Sequence, residues 1–190
     1  IISQRLRELA FLNSGLEITF HDERLDDGKR DAYLYKDGIS EFVKQLNQNK
    51  TVLFPKTINI ANQQTADSVD GGEKPVEIHT DVVLQYNDSY NDQVLCYTNT
   101  VHNPDGGTHL SGFRGALTRA INQYAKSNNL LKDKDPVISG DDVREGLTAV
   151  ISVKHSDPKF ESQTKVKLIS PEVEKIVGTN TYEGFMTYFD

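Results

Sequence analysis

The sequence predicts an α+β protein with a mixed β-sheet and helices packed on it. Three observations predict this class: segments with apolar residues at alternating positions, segments with apolar residues at helical spacing, and a largely apolar run at residues 147–153. At 190 residues the chain is long enough for one well-cored domain or two small ones. Its 36% hydrophobic and 26% charged residues are typical of a globular protein.

The first part of the chain predicts a helix, a hairpin and a second helix. Helical spacing of apolar residues begins at Leu6, and Gly15 is placed to end that helix. Residues 16–20 and 32–35 have the pattern of paired strands, with turn residues at 26–28. Residues 39–46 return to helical spacing.

The middle of the chain is rich in predicted strands. A strand at residues 57–60 leads into a polar tract, residues 62–74, that we interpret as a loop. Residues 76–86 predict a long strand. We expect residues 93–101 to pair with it across a turn at residues 87–91.

A longer helix is predicted at residues 110–128, after the turn residues 104–107. Five apolar side chains at helical spacing form the stripe that would face the core. They are Leu110, Phe113, Leu117, Ile121 and Tyr124.

The last part of the chain predicts a short helical turn at residues 141–145 and a central strand at residues 147–153. A polar loop at residues 159–165 follows. Ser170-Pro171-Glu172 then marks the start of a helix, with Ser as N-cap, Pro in the first helical position and an acid in the positive first turn.

Composition excludes several functional classes. No apolar run approaches the length of about 20 residues that a membrane-spanning helix needs. The formal charge of −7 argues against strong nucleic-acid binding by this chain alone. Its one cysteine, Cys96, has apolar neighbours and is expected in the core. The chain begins without Met, inside an amphipathic pattern, so we expect it to be part of a longer protein.

A complete active site is not expected in this sequence. The five histidines are scattered, so no metal site is predicted. Phosphate-binding and dinucleotide-binding glycine motifs are missing. The remaining candidate is residues 160–165, where the Lys165 ammonium and the Gln163 amide could hold the terminal phosphate of a nucleotide bound elsewhere. The alternative is that both side chains simply face water.

Several stretches resemble the B subunits of type IIA DNA topoisomerases, and those of DNA gyrase in particular. They cover nearly the whole chain in order, and the run His109-Leu110-Ser111-Gly112-Phe113-Arg114 favours gyrase over topoisomerase IV. The matching stretches are residues 5–15, 90–101, 104–114, 116–119, 142–154 and 163–165.

The resemblance implies a domain assignment. Residues 1–14 would be the helix that leaves an ATP-binding domain, which lies outside this chain. Residues 15–169 would form the transducer domain, ribosomal-protein-like with a left-handed βαβ crossover, although right-handed crossovers are the rule. Residues 170–190 would begin a C-terminal connecting helix.

The resemblance also implies site residues. Gln163, Thr164 and Lys165 match the loop that binds ATP, and Lys165 matches the catalytic contact to the γ-phosphate in the neighbouring domain. Arg114 matches an arginine that faces DNA, and Arg119 lies on the same predicted helix, as a second DNA-facing candidate.

The implied function is to relay ATP turnover to DNA strand passage and negative supercoiling. The parent enzyme would use ATP and Mg²⁺, with no cofactor expected on this chain alone, which we expect to be inactive. Implied partners are the ATPase and cleavage domains of the same subunit, the gyrase A subunit, double-stranded DNA and a second copy, in the cytoplasm. Alternatives are the same domain of topoisomerase IV, a non-catalytic DNA-contacting scaffold, or a fold relative among small-molecule kinases or chaperone ATPases.

Overall fold

A five-stranded mixed sheet lies at the centre of the computed structural model, which describes residues 1–24, 28–66, 75–132 and 134–189. The described elements are α1 (Ile2–Leu12), β1 (Ile18–Asp22), β2 (Lys29–Tyr33), α2 (Ile39–Leu46), β3 (Ile58–Ala66), β4 (Val76–Tyr86), β5 (Gln93–Thr98), β6 (Val101–His102), α3 (Thr108–Ser127), α4 (Gly140–Arg144), β7 (Leu147–His155) and α5 (Pro171–Phe189). The strand order is β3-β4-β7-β5-β6, and β5 and β7 run parallel. This architecture confirms the α+β class and the mixed sheet.

β7 occupies the middle of the sheet, as its apolar sequence predicts. All of its residues except Lys154 are buried. It pairs with β4 on one side and with β5 on the other, so the predicted direct pairing of β4 with β5 is wrong. The turn after β4 is held by the Asn87 N–H, which donates to the Gly146 carbonyl at 2.9 Å, just before β7 begins. The most apolar strand therefore takes the position that is covered on both faces.

β3 is longer than the sequence predicts. It continues to Ala66, which pairs with Val76, so residues 62–66 belong to a strand and not to the predicted loop. Asn62 and Gln64 are satisfied from the opposite layer, because both donate to the Asn180 side chain of α5 at 3.0 and 2.7 Å. The remainder of the predicted loop, residues 67–74, lies outside the described residues.

The two faces of the sheet carry separate cores. α3 and α5 cover one face, where Phe113, Leu117 and Phe185 pack against β3, β4 and β7. α1 and α2 cover the other face, where Phe11 stacks on Phe42 with ring centroids 4.8 Å apart.

Other predicted elements are present with shifted bounds. The hairpin strands are β1 and β2, which pair from Ile18 with Tyr33 to Asp22 with Lys29. Two of its three predicted turn residues, Asp26 and Asp27, lie outside the described residues. In the predicted stripe of α3, Phe113 and Leu117 are fully buried.

The connection from β5 to β7 passes through β6, α3 and α4 and joins two parallel neighbours. It is therefore a crossover of the βαβ kind, as the resemblance implies. Its left-handed sense stays a prediction. The crossover places the start of α3 beside the loop that leaves β7.

Candidate functional site

The loop between β7 and α5 is anchored at both of its ends. At its start, the buried His155 ring lies 2.7 Å from the Glu172 carboxylate in the first turn of α5. The Asn99 side chain holds the His155 backbone with two hydrogen bonds of 2.9 Å. At its end, the Ser170 hydroxyl accepts from the Lys159 N–H at 2.9 Å. The base of the loop is thus fixed to both the sheet and α5.

The two limbs of the loop lie side by side. Phe160 forms an antiparallel bridge with Leu168. The Glu161 N–H donates to the Lys167 carbonyl at 3.0 Å, and the Lys167 ammonium lies 3.3 Å from the Glu161 carboxylate. These contacts make the loop a narrow projection with a tip at residues 162–165.

The tip faces solvent. Residues 161–165 are all exposed, so the predicted phosphate-binding side chains do not pack against their own sheet. The Lys165 N–H donates to the Ser162 carbonyl at 3.0 Å and closes the turn. The hydroxyls of Ser162 and Thr164 lie 2.6 Å apart, which engages the Thr164 side chain within the tip.

The backbone of Lys165 is in the left-handed region, with φ of 57°. Residues with a Cβ adopt this conformation only when their surroundings hold them there. The Lys165 ammonium lies 5.8 Å from the centroid of the Phe160 ring, a cation–π distance. Within the described part of the chain, no carboxylate is within ion-pairing distance of this ammonium. Its charge is therefore available to an anion.

A buried polar cluster, Asn103, Thr98 and His109, lies behind the tip. The Asn103 amide donates to the Lys165 carbonyl at 2.7 Å. Its oxygen accepts from the Thr98 hydroxyl at 2.7 Å and lies 3.0 Å from His109 Nε2. Burial lowers the pKa of His109 to about 4, so the ring is neutral near pH 7. Sequence reasoning did not single out these three residues.

The returning limb of the loop is attached to the start of α3. The Asp105 N–H donates to the Val166 carbonyl, and the Leu168 N–H donates to the Gly106 carbonyl, both at 3.0 Å. The Thr108 N–H donates to the Leu168 carbonyl at 3.0 Å. A Cβ at Gly107, where φ is 135°, would collide with the Leu168 backbone, which explains the glycine.

The two predicted DNA-facing arginines have different surroundings. Arg114 is partly exposed, lies 3.4 Å from the Asp92 carboxylate, and lines a cleft of about 380 Å³ with Lys167 and Leu168. Arg119 lies with its guanidinium 4.7 Å from the centroid of the Tyr182 ring on α5. The structure therefore brings Arg114, but not Arg119, to the cleft beside the loop.

Among the described residues, no group of three or more His, Cys, Asp or Glu side chains could hold a metal ion. The predicted core position of Cys96 is confirmed, and burial raises the pKa of its thiol to about 12. None of the helices in the described part of the chain is long and apolar enough to cross a membrane.

The fold matches solved structures of the ATPase region of type II topoisomerases. The solved structure of the 43K ATPase domain of Thermus thermophilus gyrase B, in complex with an aminocoumarin, matches 98% of this chain and 47% of its own chain, with a TM-score of 0.82 and 38% identity. The DNA gyrase B family matches residues 38–190, and the chain belongs to this family.

Curated relatives that are named as the B subunit of DNA gyrase match the whole length of this chain. The protein of Clostridium acetobutylicum is 46% identical over 189 residues, which are 100% of this chain and 28% of the relative. That of Enterococcus faecalis is 45% identical over 188 residues, or 99% of this chain and 27% of the relative. The chain thus spans little more than a quarter of the length of these relatives.

Proposed function

We propose that this chain is the transducer domain of a DNA gyrase B subunit. In this proposal it relays ATP binding and hydrolysis in an adjacent ATPase domain to DNA strand passage and negative supercoiling. The observation that supports it best is the tip of the loop after β7, where the backbone of Lys165 is held on both sides and its ammonium faces solvent. Residues 1–14 are then the exit helix of the ATPase domain, residues 15–169 the transducer, and residues 170–190 the start of a connecting helix.

The proposed mechanism depends on the third phosphate of ATP. Lys165 and Gln163 would contact the γ-phosphate, which ADP lacks, so they favour a closed orientation of the two domains only when ATP is bound. A ligand shifts a conformational equilibrium only through such a difference in affinity between states. The fixed ammonium would also stabilise negative charge that develops during phosphoryl transfer. After phosphate release the loop loses its partner and the domain can rotate.

The same proposal assigns cofactors and partners. ATP with Mg²⁺ would be bound by the ATPase domain, and the chain would act with that domain, the cleavage domain, the gyrase A subunit, a second copy of its own subunit and double-stranded DNA in the cytoplasm. The names of the relatives support gyrase, with the corresponding domain of topoisomerase IV as the alternative. The isolated chain would not hydrolyse ATP, since it contributes a single ammonium from one side of the nucleotide.

The test is a Lys165→Ala substitution in the full-length subunit. We expect the steady-state rate of ATP hydrolysis to fall by about 100-fold or more, the effect of removing one preorganised charge contact to the transition state. ADP affinity should be retained, because the lost contact is to the γ-phosphate. Hydrolysis is measured with a coupled assay and ADP affinity by calorimetry.

Lys167→Ala is the matched control. Lys167 lies two residues further along the same loop and pairs with Glu161 at 3.3 Å, so its loss should leave hydrolysis nearly unchanged. An unchanged rate in the Lys165→Ala protein would remove Lys165 from the mechanism.

A further inference from the structure

The conformation of Lys165 requires support from outside the tip. The turn bond from its N–H to Ser162 stays within the tip and cannot connect the tip to the sheet. The Lys165 carbonyl instead accepts from Asn103, which is 62 residues away in sequence and 1% exposed. Among the described residues, this bond is the one that joins the Lys165 backbone to a buried side chain.

We propose that Asn103 is a positioning residue, whose buried amide fixes the backbone of Lys165 and joins the loop tip to the first turn of α3. The inference rests on the proposed contact of Lys165 with the γ-phosphate. It names the residue through which that contact is oriented and connected to the remainder of the domain.

The hydrogen bonds of Asn103 have only one consistent arrangement. A backbone carbonyl can only accept, so the amide nitrogen of Asn103 must face Lys165 and its oxygen must face Thr98 and His109. His109 Nε2 therefore carries the ring proton and donates to Asn103. The other ring nitrogen of His109 accepts from the Leu110 N–H at 3.0 Å. Both polar atoms of the Asn103 side chain are thus engaged, and its nitrogen is the atom that holds the Lys165 carbonyl.

This arrangement gives the tip a direct connection to α3. His109 is the second residue of that helix, and Arg114 follows a little more than one turn later. The returning limb of the loop adds two hydrogen bonds to the same region, from the Leu168 N–H to the Gly106 carbonyl and from the Thr108 N–H to the Leu168 carbonyl. A displacement of the tip by a bound phosphate would therefore be transmitted to the start of α3 through packed, hydrogen-bonded groups.

The experiment compares Asn103→Leu with Asn47→Leu in the full-length subunit. Asn47 is an equally buried asparagine that also donates one side-chain hydrogen bond, to Gln85 at 3.0 Å, and accepts two, from Asn87 at 3.1 Å and Thr148 at 2.7 Å. It lies at the end of α2, in a cluster that does not include the loop. Both substitutions remove the same hydrogen-bonding pattern from a buried site.

We expect the Asn103→Leu protein to lose about 10- to 100-fold in the rate constant of ATP hydrolysis, the scale of effect of a misplaced catalytic group. The Asn47→Leu protein should lose thermal stability to a similar degree and keep its rate. If Asn103→Leu does not fold, Asn103→Asp at pH 8 keeps the size and the accepted bonds, and it replaces the donor to Lys165 with a charged oxygen that repels the Lys165 carbonyl. Equal rates in the Asn103 and Asn47 variants would overturn the inference.

Two further measurements separate this inference from the proposed function. Amide hydrogen exchange of residues 161–168 should rise in the Asn103→Leu protein and not in the Asn47→Leu protein, and unchanged exchange there would refute the positioning role. With Lys165→Ala already present, Asn103→Leu should have little additional effect on turnover, whereas additive effects would indicate a merely structural role. An unaltered rate for Lys165→Ala alone would instead refute the proposed contact of Lys165 with the γ-phosphate.

Discussion

The imidazole of His109 is fully buried at the start of α3, between the Asn103 amide and the Leu110 N–H. One of its nitrogens donates and the other accepts, a pattern that only the neutral ring can satisfy. Burial lowers the pKa of His109 from 6.5 to about 4 in the folded chain. Protonation would place a second hydrogen on the nitrogen that accepts from Leu110 and would bury a positive charge, a cost that the backbone of Gly107 offsets only in part.

His109 should therefore make stability depend on pH. Between pH 6.5 and about 4 the unfolded chain binds a proton at this position that the folded chain does not. The free energy of unfolding should fall as the pH is lowered through this window, by at most about 1.4 kcal/mol per pH unit from this one group.

Urea unfolding of the chain at several pH values, followed by circular dichroism, measures this dependence. A His109→Gln variant should have a shallower dependence than the unsubstituted chain. His79, which lies on the surface 3.2 Å from Glu77, is the control, and His79→Gln should retain the original slope. The same slope in the His109→Gln variant would exclude His109 as the cause.

Single residues of the site differ in how far the sequence predicts them. Lys165 and Gln163 could be proposed from the sequence because an ammonium and an amide can bind phosphate and because their loop resembles that of gyrase B subunits. Asn103 is not, because its role depends on a carbonyl 62 residues away. The turn residues that follow Asn103 predict a change of direction and give no indication of which backbone lies behind it.

At the scale of elements, the contact between α3 and α5 depends on a close approach at glycine. A Cβ at Gly112 would overlap the Glu174 carbonyl oxygen, and Gly178 lies opposite, with the Gly112 oxygen 3.4 Å from its Cβ position. The two backbones can therefore approach only without a side chain at Gly112. Gly115, one turn away on the same helix, has nothing within 4 Å of its Cβ position.

These two glycines predict substitutions of opposite sign. Gly112→Ala should lower the free energy of unfolding by about 1–3 kcal/mol, because the helices must separate to admit the methyl group. Gly115→Ala should raise it by about 0.5–1 kcal/mol, because alanine is the better helix former and the site is open. Thermal or urea unfolding measures both changes. A Gly112→Ala protein as stable as the parent would contradict the close packing of these two helices.

The sequence predicts single helices and strands better than it predicts which elements pack beside each other. The start of α5 at Pro171 and the burial of β7 follow from local sequence, namely a capping pattern and a run of apolar residues. The end of β3 did not, because its polar residues Asn62 and Gln64 resemble a loop until Asn180, more than 100 residues away, is placed against them. The predicted pairing of β4 with β5 is wrong for a similar reason. Periodicity identifies a strand but not the strand beside it.

At the scale of the whole molecule, charge limits how this chain could meet DNA. Its formal charge is −7, which argues against strong DNA binding by the whole chain and directs attention to individual basic side chains. Arg114 is the better placed of the two predicted arginines, since it lines the cleft beside Lys167. Its charge is partly compensated by Asp92 at 3.4 Å, which also lies 3.6 Å from Arg144. The buried Nε of Arg114 has no hydrogen-bond partner among the described residues.

If Arg114 faces DNA, a phosphate would compete with Asp92 for its guanidinium. Arg114→Ala in the full-length subunit, assembled with its partner subunit, should weaken the increase of ATP hydrolysis caused by duplex DNA. It should also reduce the slope of the logarithm of DNA affinity against the logarithm of salt concentration by about one per site.

Asp92→Asn should have the opposite effect on DNA affinity, because it frees the same guanidinium. Arg119→Ala should change either quantity less, since that side chain stacks on Tyr182. If Arg114→Ala leaves both the DNA effect on hydrolysis and the salt slope unchanged, Arg114 does not contact DNA.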